Sequence, residues 1–433
     1  MSSAAIGLIG IAGLVAIMLA GMPVSFCMIL VGFAGYGFIS GFDKAFYNLG
    51  SIPYSMLADF NFVMLPLFLL MSAVAVQAGI SRDLYKTGNS WFGHIRGGLA
   101  MASVIGCGGF AAISSDSVAS AAAMGKAVFP EMEKYGYDRR LSTGCLAAGG
   151  TIGVLIPPSV GFVFYGILTR QSIGQLFMAG ILPGIFQVVT YIVLIYLLCL
   201  SNPQMGPAGA KTSFKQKIFS LKETWSVIVL FILVTGGIYG GFFTPSEAAA
   251  VGALGAFLIG FSMRRLKRKG IISAFLETGR ITAMVGLLLV GAMMFSRFMA
   301  ISKMPFLLAD FVSGLEMNRY IVLIVILAFY IAAGCFMDVV SMIVLTLPII
   351  FPLITALDFN AIWYGVLMVK MMELGTISPP FGVTCFVLSS VTGVPLGTIF
   401  RGIFPFMVSD LVQIAILIAV PAISLWIPST MRA

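Results

Sequence analysis

The chain has 433 residues, of which 60% are hydrophobic and only 9% charged, and it carries a net charge of +9. A soluble domain runs at about a quarter charged and below half apolar, so a mean hydropathy of +1.06 excludes a cytosolic enzyme, a secreted disulfide scaffold and a disordered chain. The composition is that of an integral membrane protein. Cys27, Cys107, Cys145, Cys199, Cys335 and Cys385 all lie in apolar stretches without a Cys-x-x-Cys pair, and they read as small core hydrophobes. His94 alone builds neither a metal site nor a proton relay. The basic residues are spread through short loops, a pattern that points to cytoplasmic loops and anionic lipid and not to nucleic acid.

A membrane-spanning helix needs about 20 apolar residues. The stretch from Met1 to Ala20 lacks a basic leader, so it reads as a first membrane segment and not a cleaved signal. Segments near 4–20, 23–41, 62–80, 181–200, 225–242, 245–263, 280–300, 320–334 and 404–427 qualify or nearly do. Three basic groups mark the cytoplasmic side: Arg264 to Lys269; Lys211, Lys215, Lys217 and Lys222; and Arg82, Lys86 and Arg96 with Arg139 and Arg140. That orientation places residues near 43–55, 170, 241–245 and 301–318, and the C-terminus, outside. The basic segment 211–224 is expected to lie on the membrane surface as an amphipathic arm.

Regions 99–169 and 335–392 are apolar but broken by Gly, Ser, Thr and paired prolines, and they match each other. A shift of 222 positions carries Asp116 onto Asp338, Pro130 onto Pro352, Gly153 onto Gly375 and Pro157-Pro158 onto Pro379-Pro380. It also carries Gly180 onto Gly402, Pro183 onto Pro405 and Pro23 onto Pro245. Two repeats are therefore expected, 1–210 and 225–433, joined by the arm at 211–224. By the charge assignment they enter the membrane from opposite sides, the inverted arrangement of many secondary transporters. Each repeat carries scaffold helices, a re-entrant hairpin (near 99–127 and 320–350) and a broken helix (near 141–169 and 361–392).

Backbone that leaves the helix in hydrocarbon must find its hydrogen bonds in protein or in a water-filled cavity. Ser114-Ser115-Asp116-Ser117-Val118-Ala119-Ser120 lies between two apolar arms and fits a hairpin tip at the midplane; its partner is Gly334 to Ser341. Each double proline removes two amide donors. The freed carbonyls and helix-end dipoles suit a partly dehydrated Na⁺ and an anionic substrate group. Intramembrane carboxylates are functional candidates; Asp116 and Asp338 read equally as Na⁺ ligands, proton carriers or partners of hairpin amides. Lys370 and Glu373, three apart, are expected to pair internally. Glu247 follows Thr244-Pro245-Ser246 and reads as a first-turn cap, and Arg297 and Lys303 as snorkelling side chains.

Phe110-Ala111-Ala112-Ile113-Ser114 through Ser120, Pro130-Glu131-Met132, Gly136-Tyr137 and Gly153-Val154-Leu155-Ile156-Pro157-Pro158-Ser159 resemble the large membrane subunit of tripartite ATP-independent periplasmic (TRAP) transporters. So do Gly241-Phe242-Phe243-Thr244-Pro245-Ser246-Glu247-Ala248-Ala249 and Glu373-Leu374-Gly375-Thr376-Ile377-Ser378-Pro379-Pro380. The resemblance spans nearly the whole chain. It implies an all-α, inverted-repeat, elevator-type Na⁺ symporter of the bacterial inner membrane. Such a carrier takes organic acids, often dicarboxylates or sialic acids, from a periplasmic binding protein and works beside a small four-helix (Q-type) membrane subunit. Carried onto this chain, it implies a first Na⁺ site at Ser114, Ser117, Gly334 and Asp338, and a second around Gly375, Ser378 and Phe381, pseudosymmetric with Gly153 and Ile156. Asp116, Ser120, Gly153, Pro157, Pro158, Pro379, Pro380 and Thr384 are the hairpin and substrate candidates. Two positions depart from the family: Asp116 stands within a tip that usually reads Ser-Gly-Ser-Ser, and Ser378 stands where Thr is usual.

The reading is a Na⁺-driven carboxylate symporter subunit. Its rival within transport is a proton-coupled or exchange carrier of the same fold using Asp116 and Asp338. An intramembrane enzyme needs a nucleophile–base pair or a metal cluster, and the sequence offers no His-Glu-x-x-His and only one His. A purely structural subunit would tolerate substitution of the hairpin tips.

Overall fold

The computed structural model describes residues 2–114, 117–209, 213–222, 224–314 and 317–431, with the backbone alone at 80–82, 111–114 and 313. The first half runs through α1 (Ser3–Leu19), α2 (Val24–Ser40), α3 (Phe42–Leu57), α4 (Met64–Gln77), α5 (Ile80–Phe92), α6 (Gly98–Ser114), α7 (Ser117–Lys134), α8 (Arg139–Thr151), α9 (Val160–Thr169) and α10 (Ile173–Ser201). After α11 (Phe214–Leu221) come α12 (Trp225–Phe231), a π-helical turn (Ile232–Gly236) and α13 (Gly237–Tyr239). The chain continues with α14 (Pro245–Ser262), α15 (Arg268–Ser302), α16 (Met304–Gly314), α17 (Arg319–Gly334), α18 (Val339–Ala356), α19 (Ala361–Ile377), α20 (Val383–Thr392), α21 (Leu396–Ala419) and α22 (Ala422–Ser429). No strand occurs among the described residues. Helices satisfy their own backbone groups, which hydrocarbon cannot do.

Six described stretches are long and apolar enough to cross a membrane: Phe60–Gln77, Ile173–Ser201, Pro245–Ser262, Arg268–Ser302, Val339–Ala356 and Leu396–Ala419. The segments expected near 4–20 and 23–41 form the shorter apolar helices α1 and α2. Three connections expected from sequence are helical instead. Residues 43–55 lie within α3, which buries Ala45, Asn48, Ile52 and Met56 at helical spacing; α16 occupies much of 301–318, and α5 much of the basic stretch after Arg82. The segment near 280–300 is the end of the 35-residue α15. At 1.5 Å per residue that helix is about 50 Å long, well beyond the about 30 Å of hydrocarbon. The basic arm opens α11 with a capping box between Ser213 and Gln216. It docks on α5, where Trp91 Nε1 donates to the Lys217 carbonyl at 3.2 Å and Thr87 Oγ1 to that of Ser220 at 2.8 Å. Glu247 caps α14 as expected, its carboxylate accepting from Thr244 N at 2.8 Å.

The helices follow the sequence offset. α7 and α18 begin at Ser117 and Val339 and end at Lys134 and Ala356, 222 positions apart at both ends. α8 and α19 begin 222 apart, at Arg139 and Ala361. Pro130 and Pro352 sit inside the first pair, Pro183 and Pro405 inside α10 and α21. Small residues let the elements approach. Gly144 of α8 faces Gly402 of α21 so closely that a Cβ on Gly402 would stand 2.0 Å from the Arg140 carbonyl oxygen.

Candidate transport site

The first break starts where α8 ends at Thr151. A 3₁₀ turn (Ile152–Val154) holds Gly153, and the chain then passes through the cis Pro157-Pro158 bond to Ser159. Proline lacks the N–H that would continue the helix, and Ser159 starts it again, its hydroxyl accepting from Phe162 N at 3.3 Å. The second break repeats this plan. α19 ends at Ile377, Ser378 is extended, Pro379-Pro380 is cis, and Gly382 in the left-handed region opens α20. The two breaks differ in exposure. Pro157, Pro158 and Ser159 are buried, whereas Pro379, Pro380 and Phe381 are exposed.

Each break has a helical hairpin beside it. At the first tip, Asp116 lies outside the described residues, and Ser114 is described only as the last backbone position of α6. Ser117 and Ser120 are buried on the first turn of α7. The carbonyl of Ser117 lies against Gly150 of α8, where a Cβ would come within 2.8 Å of it. At the second tip, Cys335 Sγ contacts the Pro379 carbonyl at 3.3 Å, and the Phe336 ring lies 4.9 Å from that of Phe381. Asp338 is exposed and caps α18, one carboxylate oxygen accepting from Ser341 N at 3.1 Å.

Helix α19 lies between the two hairpins. Ser117 Oγ donates to Glu373 Oε1 at 2.7 Å. Gly375 lies against Gly334, where a Cβ on Gly375 would stand 2.6 Å from the Gly334 Cα. Residues two apart on a helix point about 200° apart, so the hairpins meet α19 on opposite faces. Ser117 is thus paired with Glu373 and Gly334 with Gly375, two adjacent contacts on one helix. Ser378 Oγ donates to the Leu374 carbonyl at 2.6 Å, and Thr384 Oγ1 lies 3.4 Å from Thr376 Oγ1, both pairs buried.

The expected Lys370–Glu373 pair is corrected. Lys370 Nζ bonds Asp410 Oδ1 of α21 at 2.6 Å, because α21 packs a carboxylate directly against α19 while Glu373 turns to Ser117. Tyr191 OH donates to Asp410 Oδ2 at 2.7 Å, and Gln187 Nε2 reaches Tyr191 OH at 2.9 Å and Thr151 Oγ1 at 3.1 Å. The network ties the last residue of α8 to α10, α21 and α19. Sequence reading missed Asp410, although a lone carboxylate inside the apolar segment 404–427 was the available signal. Arg297 does not simply snorkel; its guanidinium donates to the buried Asn48 of α3.

Residues 11–423 match the family described as tripartite ATP-independent periplasmic transporter, DctM component. The chain belongs to this family. A C4-dicarboxylate TRAP transporter large permease protein, DctM, of Pseudomonas aeruginosa is 36% identical over 371 residues, 86% of each chain. The sialic acid TRAP transporter large permease protein SiaM of Vibrio cholerae is 30% identical over 96% of this chain and 97% of its own. The ectoine TRAP transporter large permease protein TeaC of Halomonas elongata is 30% identical over 94% of each. Among solved structures the YdaH transporter of Alcanivorax borkumensis aligns with a TM-score of 0.67 at 14% identity, covering 89% of each chain. MtrF of Neisseria gonorrhoeae aligns at 0.57 and 12%, covering 89% of this chain and 84% of its own. At such identities the likeness concerns the fold alone.

As a TRAP large permease subunit the chain is a multi-pass inner-membrane transport protein and not an enzyme. The donors this TRAP subunit gathers near its breaks are mainly oxygens: the hydroxyls of Ser117, Thr376, Ser378 and Thr384, the Glu373 carboxylate and backbone carbonyls, with the single thiols of Cys335 and Cys385 at the second break. Among the described residues no three of His, Cys, Asp or Glu come together. Oxygen donors without a nitrogen or sulfur cluster suit a hard cation such as Na⁺. A cavity of about 240 Å³ between α9, α15, α16 and α18 is mostly apolar and shares no residue with either break or tip.

Proposed function

We propose that this TRAP subunit carries a small organic acid anion, of the dicarboxylate or sialic acid class, inward with Na⁺ by an elevator movement. A periplasmic binding protein delivers the substrate, and a small four-helix membrane subunit completes a scaffold on which the hairpins and broken helices move. Ser114, Ser117, Gly334, Asp338, Gly375, Ser378 and Phe381 are the proposed cation residues. The two halves are proposed to insert in opposite directions. The observation that carries the reading is the pair of double-proline helix breaks, 222 positions apart, each with a hairpin beside it.

Broken helices of this kind offer carbonyls and helix ends to ions at mid-membrane depth. The relatives' names supply the substrate classes.

The test is reconstitution in liposomes with candidate small subunit and binding protein, followed by uptake of labelled dicarboxylates and sialic acid with and without an inward Na⁺ gradient. Uptake that needs Na⁺ and collapses in Ser117→Ala and Asp338→Asn is the expected result. Uptake driven by protons and indifferent to Na⁺ overturns the coupling assignment.

A further inference from the structure

Of the two proposed cation ligands whose hydroxyl direction the structure gives, Ser378 donates to a backbone carbonyl and Ser117 to a carboxylate. Ser117 Oγ donates to Glu373 Oε1 across 2.7 Å, and the two side chains come from opposite halves of the chain, 256 positions apart. Both residues are buried, Ser117 at 5% and Glu373 at 2% exposure. A hydroxyl has one proton and two lone pairs. With the proton given to a carboxylate, the rotor is fixed, the lone pairs face away from Glu373, and the oxygen becomes more electron-rich, as happens at metal ligands backed by a carboxylate.

The repeat makes this contact one-sided. The residue 222 positions before Glu373 is Thr151, which donates to its own helix at Ala148 O and accepts from Gln187. The residue 222 after Ser117 is Val339, which has no hydroxyl. The hydroxyl of the first tip therefore donates to a carboxylate of the other half, whereas at the second tip the Ser341 hydroxyl donates to Asp338 of the same tip at 2.5 Å. Lys370, one turn before Glu373 on α19, directs its ammonium to Asp410.

We propose that Glu373 is the positioning residue of the cation site at the first hairpin. It orients the Ser117 hydroxyl with its lone pairs toward Na⁺, and so tightens Na⁺ binding at the site formed by Ser114, Ser117, Gly334 and Asp338. This rests on the reading that Ser117 holds Na⁺.

The experiment measures thermal unfolding of the purified full chain against NaCl, with choline chloride holding ionic strength constant, and repeats the titration with LiCl. The expected result for the unsubstituted protein is a Na⁺-dependent rise in melting temperature. In Glu373→Gln the half-saturating Na⁺ concentration rises ten-fold or more, and Glu373→Asp recovers part of that loss. Ser117→Ala shows a similar shift, and the Ser117→Ala/Glu373→Gln double variant is no worse than Ser117→Ala, because the carboxylate acts through the hydroxyl. An unchanged midpoint in Glu373→Gln, or shifts that multiply in the double variant, overturns the proposal while leaving Na⁺ binding standing. If Glu373→Gln does not survive purification, Glu373→Asp decides: a raised midpoint supports the role and an unchanged one overturns it. An unsubstituted protein that Na⁺ neither stabilises nor drives in uptake overturns the Na⁺ reading and this proposal together.

Discussion

Lys370 on α19 and Asp410 on α21 form an ion pair of 2.6 Å in which both side chains are 2% exposed. Removing one partner of such a pair leaves a buried charge uncompensated and costs about 3–5 kcal/mol, whereas replacing both by apolar groups is often neutral. Lys370→Met and Asp410→Leu are each expected to lower the melting temperature sharply. The double variant is expected to regain most of the loss. A double variant as unstable as the sum of the two singles would refute this account.

Ser159 restarts the helix after the first break, its side chain accepting from Phe162 N. Losing a serine N-cap to alanine costs about 1 kcal/mol, and to glycine only a few tenths. Ser159→Ala is therefore expected to unfold earlier than Ser159→Gly in a thermal melt. The reverse order would show that the cap contributes little to this break.

The breaks were legible because their cause is local: Pro157-Pro158 and Pro379-Pro380 remove donors whatever surrounds them, and helix ends fall where those prolines demand. The repeat was legible for the same reason, since prolines and glycines keep their backbone roles in both copies. What sequence could not supply was the partner of each buried polar group. Lys370 and Glu373 are three residues apart, and helical spacing alone joins them. Their actual partners arrive from 40 and 256 positions away in the chain, a matter of tertiary packing that periodicity does not encode. Helix α3 was missed because its polar residues, Asp43, Lys44 and Asn48, resemble a loop until the burial of one face is seen.

Gly402 and Gly279 predict opposite outcomes for the same substitution. A Cβ on Gly402 meets the Arg140 carbonyl at 2.0 Å, while one on Gly279 meets nothing within 4 Å. Gly402→Ala forces two backbones apart and is expected to cost about 1–3 kcal/mol. Gly279→Ala, inside α15, is expected to be neutral or stabilising by up to about 1 kcal/mol. Melting temperatures of the two variants, measured side by side, check the crossing of α8 and α21.

Ser159 and Phe381 occupy matching positions of the two breaks, yet Ser159 is 1% exposed and Phe381 48%. In the detergent-solubilised protein, Phe381→Cys is expected to react rapidly with a maleimide and Ser159→Cys slowly. The six native cysteines are all buried and supply little background. If the carrier alternates as proposed, Na⁺ with substrate narrows that difference. Equal rates at both positions without ligand would contradict a one-sided opening.

The shared length of α7 and α18 means that the molecule contains its own internal control. Two backbones of the same frame present Ser117 at one tip and Val339 at the other, with Glu373 beside the first and, at the position matching Glu373 in the other repeat, Thr151. Comparisons that ordinarily require two proteins can be made inside one chain, since temperature, lipid and expression level are common to both halves. Grafting serine and glutamate onto the silent half asks whether geometry alone is enough to create a second charge-backed seat.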